Sequence, residues 1–160
     1  MIQVTYKLDP RDLPQRLKRA ARRFPYAVDV GLRRAGRWAV QSAELRTAWR
    51  DKIDTRRMIQ SFTFCVVDHT LRVTNVAFHH QFVEHGRRAG SLPPVSVISA
   101  WAARKLGNAA LGWPIAKKIA RDGIKPTRII TGPNFARKLQ EIGTREVRKA
   151  VEQELKRRGT

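Results

Sequence analysis

Residues 75–107, NVAFHHQFVEHGRRAGSLPPVSVISAWAARKLG, decide how this chain is read. Phe78, Phe82 and Val83 form the apolar side of an extended run that ends in Glu84-His85-Gly86, and Gly86 suits a turn with positive φ. Arg87, Arg88, Gly90 and Ser91 make a polar, basic loop. Pro93 and Pro94 then fix the backbone ahead of Val97, Ile98, Trp101 and Lys105, whose spacing predicts a helix with its prolines at the tolerated N-terminal end. The stretch therefore predicts a strand, a basic loop and a tryptophan-bearing helix.

Upstream, residues 59–83 carry Phe62, Phe64, Val66, Val73, Val76 and Phe78, which favour strands, and Asp68-His69-Thr70 supplies a turn. A β-hairpin is predicted here, its second strand running on towards Glu84. At the start of the chain Ile2, Val4, Tyr6 and Leu8 alternate with polar residues, the period of a half-buried strand that Asp9-Pro10 breaks. From Asp12 onward Leu13, Leu17, Ala20, Ala21 and Phe24 recur at helical spacing among Arg16, Lys18, Arg19, Arg22 and Arg23, which predicts a very basic amphipathic helix. Pro25 opens a second helix to about Arg50. Its stripe of Val28, Leu32, Ala35, Ala39 and Ala43 suits close helix packing, and Trp38, Leu45 and Trp49 widen it.

Downstream, Gly107 and Gly112 bracket a small loop, and Trp113-Pro114 opens a helix with Ile115, Ile119 and Ala120 on one face, ended by Gly123. Residues 125–133 read as a loop plus a short strand. A last helix from Phe135 to about Arg158 repeats Leu139, Ile142, Val147, Val151 and Leu155 among many basic residues. The expected fold is α+β: a small antiparallel sheet with a central β-hairpin, packed by several basic amphipathic helices. Its expected organisation is one domain over residues 1–160, with a strand at 1–8, basic helices at 11–50, a strand-loop-helix core at 54–135 and a basic helix at 135–158.

The 160 residues suffice for one core, and 42% hydrophobic with 29% charged residues argues against global disorder. No apolar run approaches the roughly 20 residues that span a bilayer, and MIQVTYKLDP lacks the charged-then-apolar layout of a secretory signal, so the reading is of a protein used inside a cell with no membrane partner. Cys65, the single cysteine, excludes an intramolecular disulfide and reads as a buried thiol in a strand.

The net charge of +20 is unevenly spread. Residues 1–50 carry 12 basic and 4 acidic groups, residues 51–100 carry 6 and 4, and residues 101–160 carry 15 and 5. Read this way, the charge sits on the helical ends and spares the strand-rich centre. Such a field calls for a polyanion or an acidic protein nearby, since self-repulsion otherwise opposes the compact state.

Catalysis finds little support. His69, His79, His80 and His85 lie close together with Asp68 and Asn75, which invites a histidine-metal nuclease reading, but adjacent His79 and His80 on a strand point to opposite faces. Glu84 and Asp122 lack a second carboxylate at a telling spacing, and no phosphate-cradling glycine loop or nucleophile elbow is present. No catalytic residue, metal ligand or cofactor is expected.

Phe82, Val83, Glu84, Gly86, Arg87, Arg88, Gly90, Pro93, Pro94, Ile98 and Trp101 together form a pattern that resembles the tail-completion or neck protein family of long-tailed bacteriophages. In that family a strand ending in E-x-G runs through a basic or glycine-rich turn into a helix opened by two prolines and bearing a tryptophan. Ala116, Ile119, Ala120, Gly123, Ile124 and Pro126 are similar to its next helix and exit, and Asp54-Thr55-Arg56-Arg57-Met58 with Ser61 stands where it often carries a T-G-x-L-x-x-S element. Arg56 replaces that glycine, which leaves the turn geometry open. The resemblance covers roughly residues 54–135.

It implies a virion structural protein without enzymatic activity, assembled in the bacterial host cytoplasm. Its subunits would form a ring, sixfold by the resemblance, that completes the tail tube and joins it to the head connector, with partners in itself, the connector or adaptor, tail-tube or terminator proteins, and the packaged double-stranded DNA. The expected subunit-interface residues are Glu84, Arg87, Arg88, Ser91, Leu92, Pro93, Pro94 and Val95, with Glu84 of one subunit meeting arginines of the next. Arg16, Arg19, Arg23, Arg33, Arg37, Arg157 and Arg158 are expected to face DNA or an acidic connector. The alternative, drawn from charge alone, is a sequence-tolerant nucleic-acid-binding protein.

Overall fold

The computed structural model describes residues 4–8, 22, 24–49, 56–77 and 79–158. Its elements are β1 (Val4–Leu8), α1 (Pro25–Trp49), α2 (Arg57–Gln60), β2 (Phe62–Val67), β3 (Thr70–Asn75), α3 (His80–His85), α4 (Val95–Leu106), a 3₁₀ turn (Ala109–Leu111), α5 (Gly112–Asp122) and α6 (Pro133–Arg157). The basic helix expected over residues 11–24 lies outside the described residues apart from Arg22 and Phe24.

The architecture is α+β, as the sequence pattern predicts. β3 is the central strand of a three-stranded antiparallel sheet, flanked by β1 and β2. Val67 pairs with Thr70, so the hairpin turn is Asp68-His69, and both residues take positive φ, 49° and 56°. This is the mirror-image turn whose twist matches a two-residue hairpin. The His69 ring nitrogen Nδ1 lies 2.8 Å from Asp29 Oδ1 and ties the turn to the start of α1.

One face of the hairpin, Phe62, Leu71 and Val73, packs on α1, and α1 in turn lies along α6. The small-residue stripe explains how closely. Val28, Leu32, Ala35, Ala39 and Ala43 are all buried, and at Gly31 an added Cβ would come within 2.5 Å of the Val147 Cα, so the two helices meet backbone to backbone. From α6, Phe135, Leu139, Val147 and Val151 complete this core. Trp38 joins it, stacked 6.1 Å from the Phe135 ring, whereas Leu45 and Trp49, expected to widen the stripe, are exposed, Trp49 at 88%.

Four further expectations are corrected. β3 stops at Asn75 rather than running to Glu84, because the Asn75 side chain turns back on the backbone: its Nδ2 donates to the Met58 carbonyl (2.7 Å) and its Oδ1 accepts from the Ala77 amide (2.9 Å). Such local bonding competes with a strand ladder. Residues 80–85, read as strand, form α3 instead. Cys65 lies on β2, but on its exposed face. The short strand expected within residues 125–133 is replaced by irregular chain whose Ile129 and Ile130 fill the core. Arg56, standing in for a glycine, adopts the left-handed conformation itself, φ 58°.

Candidate interaction surface

The most built feature outside the core begins at α3. Helical spacing puts His80 and Glu84 on one inward face, where their side chains are 1% and 0% exposed. Glu84 is the acceptor for a turn 46 residues away: its Oε1 takes the Ile130 amide at 2.8 Å, and its Oε2 takes the Thr131 amide at 3.2 Å and the Thr131 hydroxyl at 2.8 Å. Three donors on one buried carboxylate supply the hydrogen bonding that its burial demands. The Val83 carbonyl accepts from the Thr127 amide at 2.7 Å in the same seam. Glu84 is therefore an internal staple, and the expectation that it meets arginines of a neighbouring subunit is corrected.

His80 shares this enclosure. Its Nε2 lies 3.4 Å from Glu84 Oε1, out of line for a hydrogen bond, and neither ring nitrogen has a hydrogen-bond partner among the described residues. Burial pushes the imidazole down to about 4, against the pull of Glu84 and with help from His79 and His85. At neutral pH the ring is uncharged, packed edge-on against Phe62 with centroids 5.3 Å apart. Among the described residues no group of three His, Cys, Asp or Glu side chains is placed to hold a metal.

Immediately after α3 the chain leaves the body and returns to the same point. Arg87 and Ile124 pair reciprocally, amide to carbonyl, at 2.9 and 2.8 Å. Gly86 and Gly123 flank this pair with nearly identical backbones, φ 72° with ψ −167° and −164°. That region is essentially closed to residues with a Cβ. A Cβ on Gly86 would strike the Ile124 carbonyl oxygen, and one on Gly123 the Arg87 carbonyl oxygen. The two glycines thus form a reciprocal stem, and the Gly90 amide adds a bond to the Ala120 carbonyl at 2.7 Å.

Between the two sides of the stem, residues 88–123 fold as an arm. α4 and α5 pack chiefly on each other and on the 3₁₀ turn between them, with Ala102 and Ala116 buried and Ile98, Trp101, Ile115 and Ile119 half-buried. None of the buried residues of the body core comes from this stretch. Asn108 caps the 3₁₀ turn by accepting the Ala110 amide at 2.9 Å.

The expected interface residues fall at the root of the arm. Arg87 is half-buried and its guanidinium donates to the Ser91 carbonyl at 2.7 Å and hydroxyl at 3.0 Å, closing the loop on itself. Arg88, Ser91, Leu92 and Pro94 are exposed, Val95 is half-buried, and Pro93 is buried. Of the basic positions expected to face DNA, Arg16, Arg19 and Arg23 lie outside the described residues. Arg33 and Arg37 are exposed on α1. Arg157 and Arg158 are exposed but both hold Glu154, at 3.0 and 2.7 Å.

The surface that the residue counts overlooked is the arm. The arm together with the chain flanking it, residues 87–128, holds nine Lys or Arg against Asp122 alone, a net of +8, while residues 133–158 hold eight against four, a net of +4. Three of the four acids of α6 are spent on its own cations: Glu141 on Arg137 and Lys138, Glu146 on Arg145 and Lys149, Glu154 on Arg157 and Arg158. A boundary drawn at residue 100 divides the arm's charge between two windows, which is why the centre of the chain reads as neutral. Comparison with protein families, with curated proteins and with solved structures found no match to this chain.

Proposed function

We propose that this protein is a structural component of a bacteriophage virion, a tail-completion or neck protein whose copies form a ring at the head-tail junction, between the head connector and the tail tube, around the DNA passage. The observation that carries this reading is the stem. Two parts of the resemblance, Gly86-Arg87 and Gly123-Ile124 with Pro126, are far apart in sequence but paired in space. Their glycines thus have one joint structural purpose, to close the stem of an arm, and the exposed loop of Ser91, Leu92 and Pro94 at the root of that arm is the surface offered to a neighbouring subunit. The function is assembly rather than chemistry, through a head-to-tail contact that closes into a ring.

A second reading, a sequence-tolerant nucleic-acid-binding protein, is favoured by the charge of the arm. Mass spectrometry on DNA-filled particles, purified by density gradient and washed with nuclease and high salt, separates the two. Peptides of this chain retained at a few copies per particle are the expected outcome. Peptides lost in the wash and recovered with cellular nucleic acid overturn the virion reading in favour of the second.

A further inference from the structure

We propose that the outer face of α5 and the adjoining stem, comprising Arg88, Lys117, Lys118, Arg121 and Lys125, binds the phosphate backbone of double-stranded DNA. The inference rests on the nucleic-acid contact common to both readings above and assigns it to a surface that was not among the basic positions expected to make it.

Helical spacing aligns Trp113, Lys117 and Arg121 at i, i+4 and i+8, with Lys118 beside them and all four exposed, while Ala116, Ile115 and Ile119 turn inward to α4. The stem extends the line. A Cβ at Gly123 would lie 3.3 Å from the Arg88 carbonyl carbon, so Arg88 sits across from the last turn of α5, and Lys125 follows the paired Ile124. Arg88, Lys118 and Lys125 have no ion-pair partner among the described residues, and the single carboxylate, Asp122, is taken by Arg121 at 2.7 Å. From Trp113 to Arg121 the helix rises about 12 Å, over which one strand of a duplex presents three or four phosphates.

The composition of the face selects the partner. A membrane surface calls for a helix with a broad apolar side turned outward, and here the apolar side of α5 is packed on α4. A single strand calls for a succession of stacking rings, and this face has one, Trp113, with the Lys117 ammonium 5.1 Å from its centroid. An acidic protein surface is matched by charges of both signs that fix register. Cations in a row along a rigid helix and its stem, with Asp122 the one carboxylate among them, attract without register, which suits a polymer of uniform charge.

The test is fluorescence anisotropy of the full chain with a labelled 30-base-pair duplex between about 50 and 200 mM NaCl, comparing the Lys118→Ala/Arg121→Ala/Lys125→Ala variant with an Arg33→Ala/Arg37→Ala/Arg157→Ala control. Each phosphate contact contributes about 0.9 to the slope of log affinity against log salt. The arm variant is expected to lose about 2 to 3 from that slope and at least tenfold in affinity at 100 mM salt, the control less than 1. Loss in the control with none in the arm variant overturns the assignment, as does absence of duplex binding by the parent chain. Displacement of the duplex by poly-L-glutamate at equal charge concentration overturns it in favour of an acidic protein. Native mass spectrometry of the same variants reads ring formation separately, so failure of the DNA contact and failure of the ring are told apart.

Discussion

At Glu84 a single side chain does the work that its sequence neighbours seemed to assign elsewhere. Beside Arg87 and Arg88 it reads as half of a surface ion pair, yet Arg87 turns to Ser91 and Glu84 turns inward to Ile130 and Thr131. The only local clue was its i, i+4 spacing from His80, a helical spacing hidden inside a stretch whose aromatic and β-branched residues favour a strand. The same pair sets a pH dependence. The His80 imidazole is held at about 4 in the folded chain against an ordinary 6.5, chiefly by burial, so between these values the unfolded chain takes up the proton first. The histidine therefore costs nothing above about pH 6.5 and destabilises progressively as pH falls towards 4. Urea midpoints at pH 4.5 and 7 should differ more for the parent than for His80→Phe, which keeps the packing and removes the titration; equal differences would exclude this source.

Among the elements, those whose signal is local were legible. The stripe of α1 and the apolar repeat of α6 each fix one helix, and Asp68-His69 fixes the hairpin turn because both residue types tolerate positive φ. Elements that depend on distant partners were not. α3 forms where a strand was expected because its buried carboxylate is satisfied 46 residues downstream, and the loop at residues 129–130 is drawn into the core by the same contact. The stem is of this second kind, since Gly86 and Gly123 make sense only together. Gly86→Ala and Gly123→Ala should each cost about 2 kcal/mol or more, from the forbidden backbone region and the carbonyl clash. Hydrogen exchange is the measurement that localises the cost: protection should fall across residues 95–122 while α1 and α6 keep theirs. Uniform loss across the chain would mean that the stem supports the body as well as the arm.

Taken as a whole, the molecule divides its tasks between a body, in which α1, α6 and the sheet share a continuous core, and an arm, residues 88–123, that carries +5 of the net +20. Concentrating like charge on a projection spares the body part of the repulsion that a net of +20 imposes. Replacing residues 88–123 by Gly-Gly, which leaves Arg87 and Ile124 to pair across a tight turn, should keep the far-UV circular dichroism signature of α1 and α6 and change the stability of the body by no more than about 2 kcal/mol; an unfolded product would show that the body needs the arm. Because the chain exits and re-enters through one pair of hydrogen bonds, the body registers only that the two ends meet, and lengthening the excursion adds only a slowly growing closure entropy, about 0.6 kcal/mol per doubling. The arm is in that sense a cassette: insertion and deletion can change its length, charge and tip and leave the scaffold that presents it unaltered.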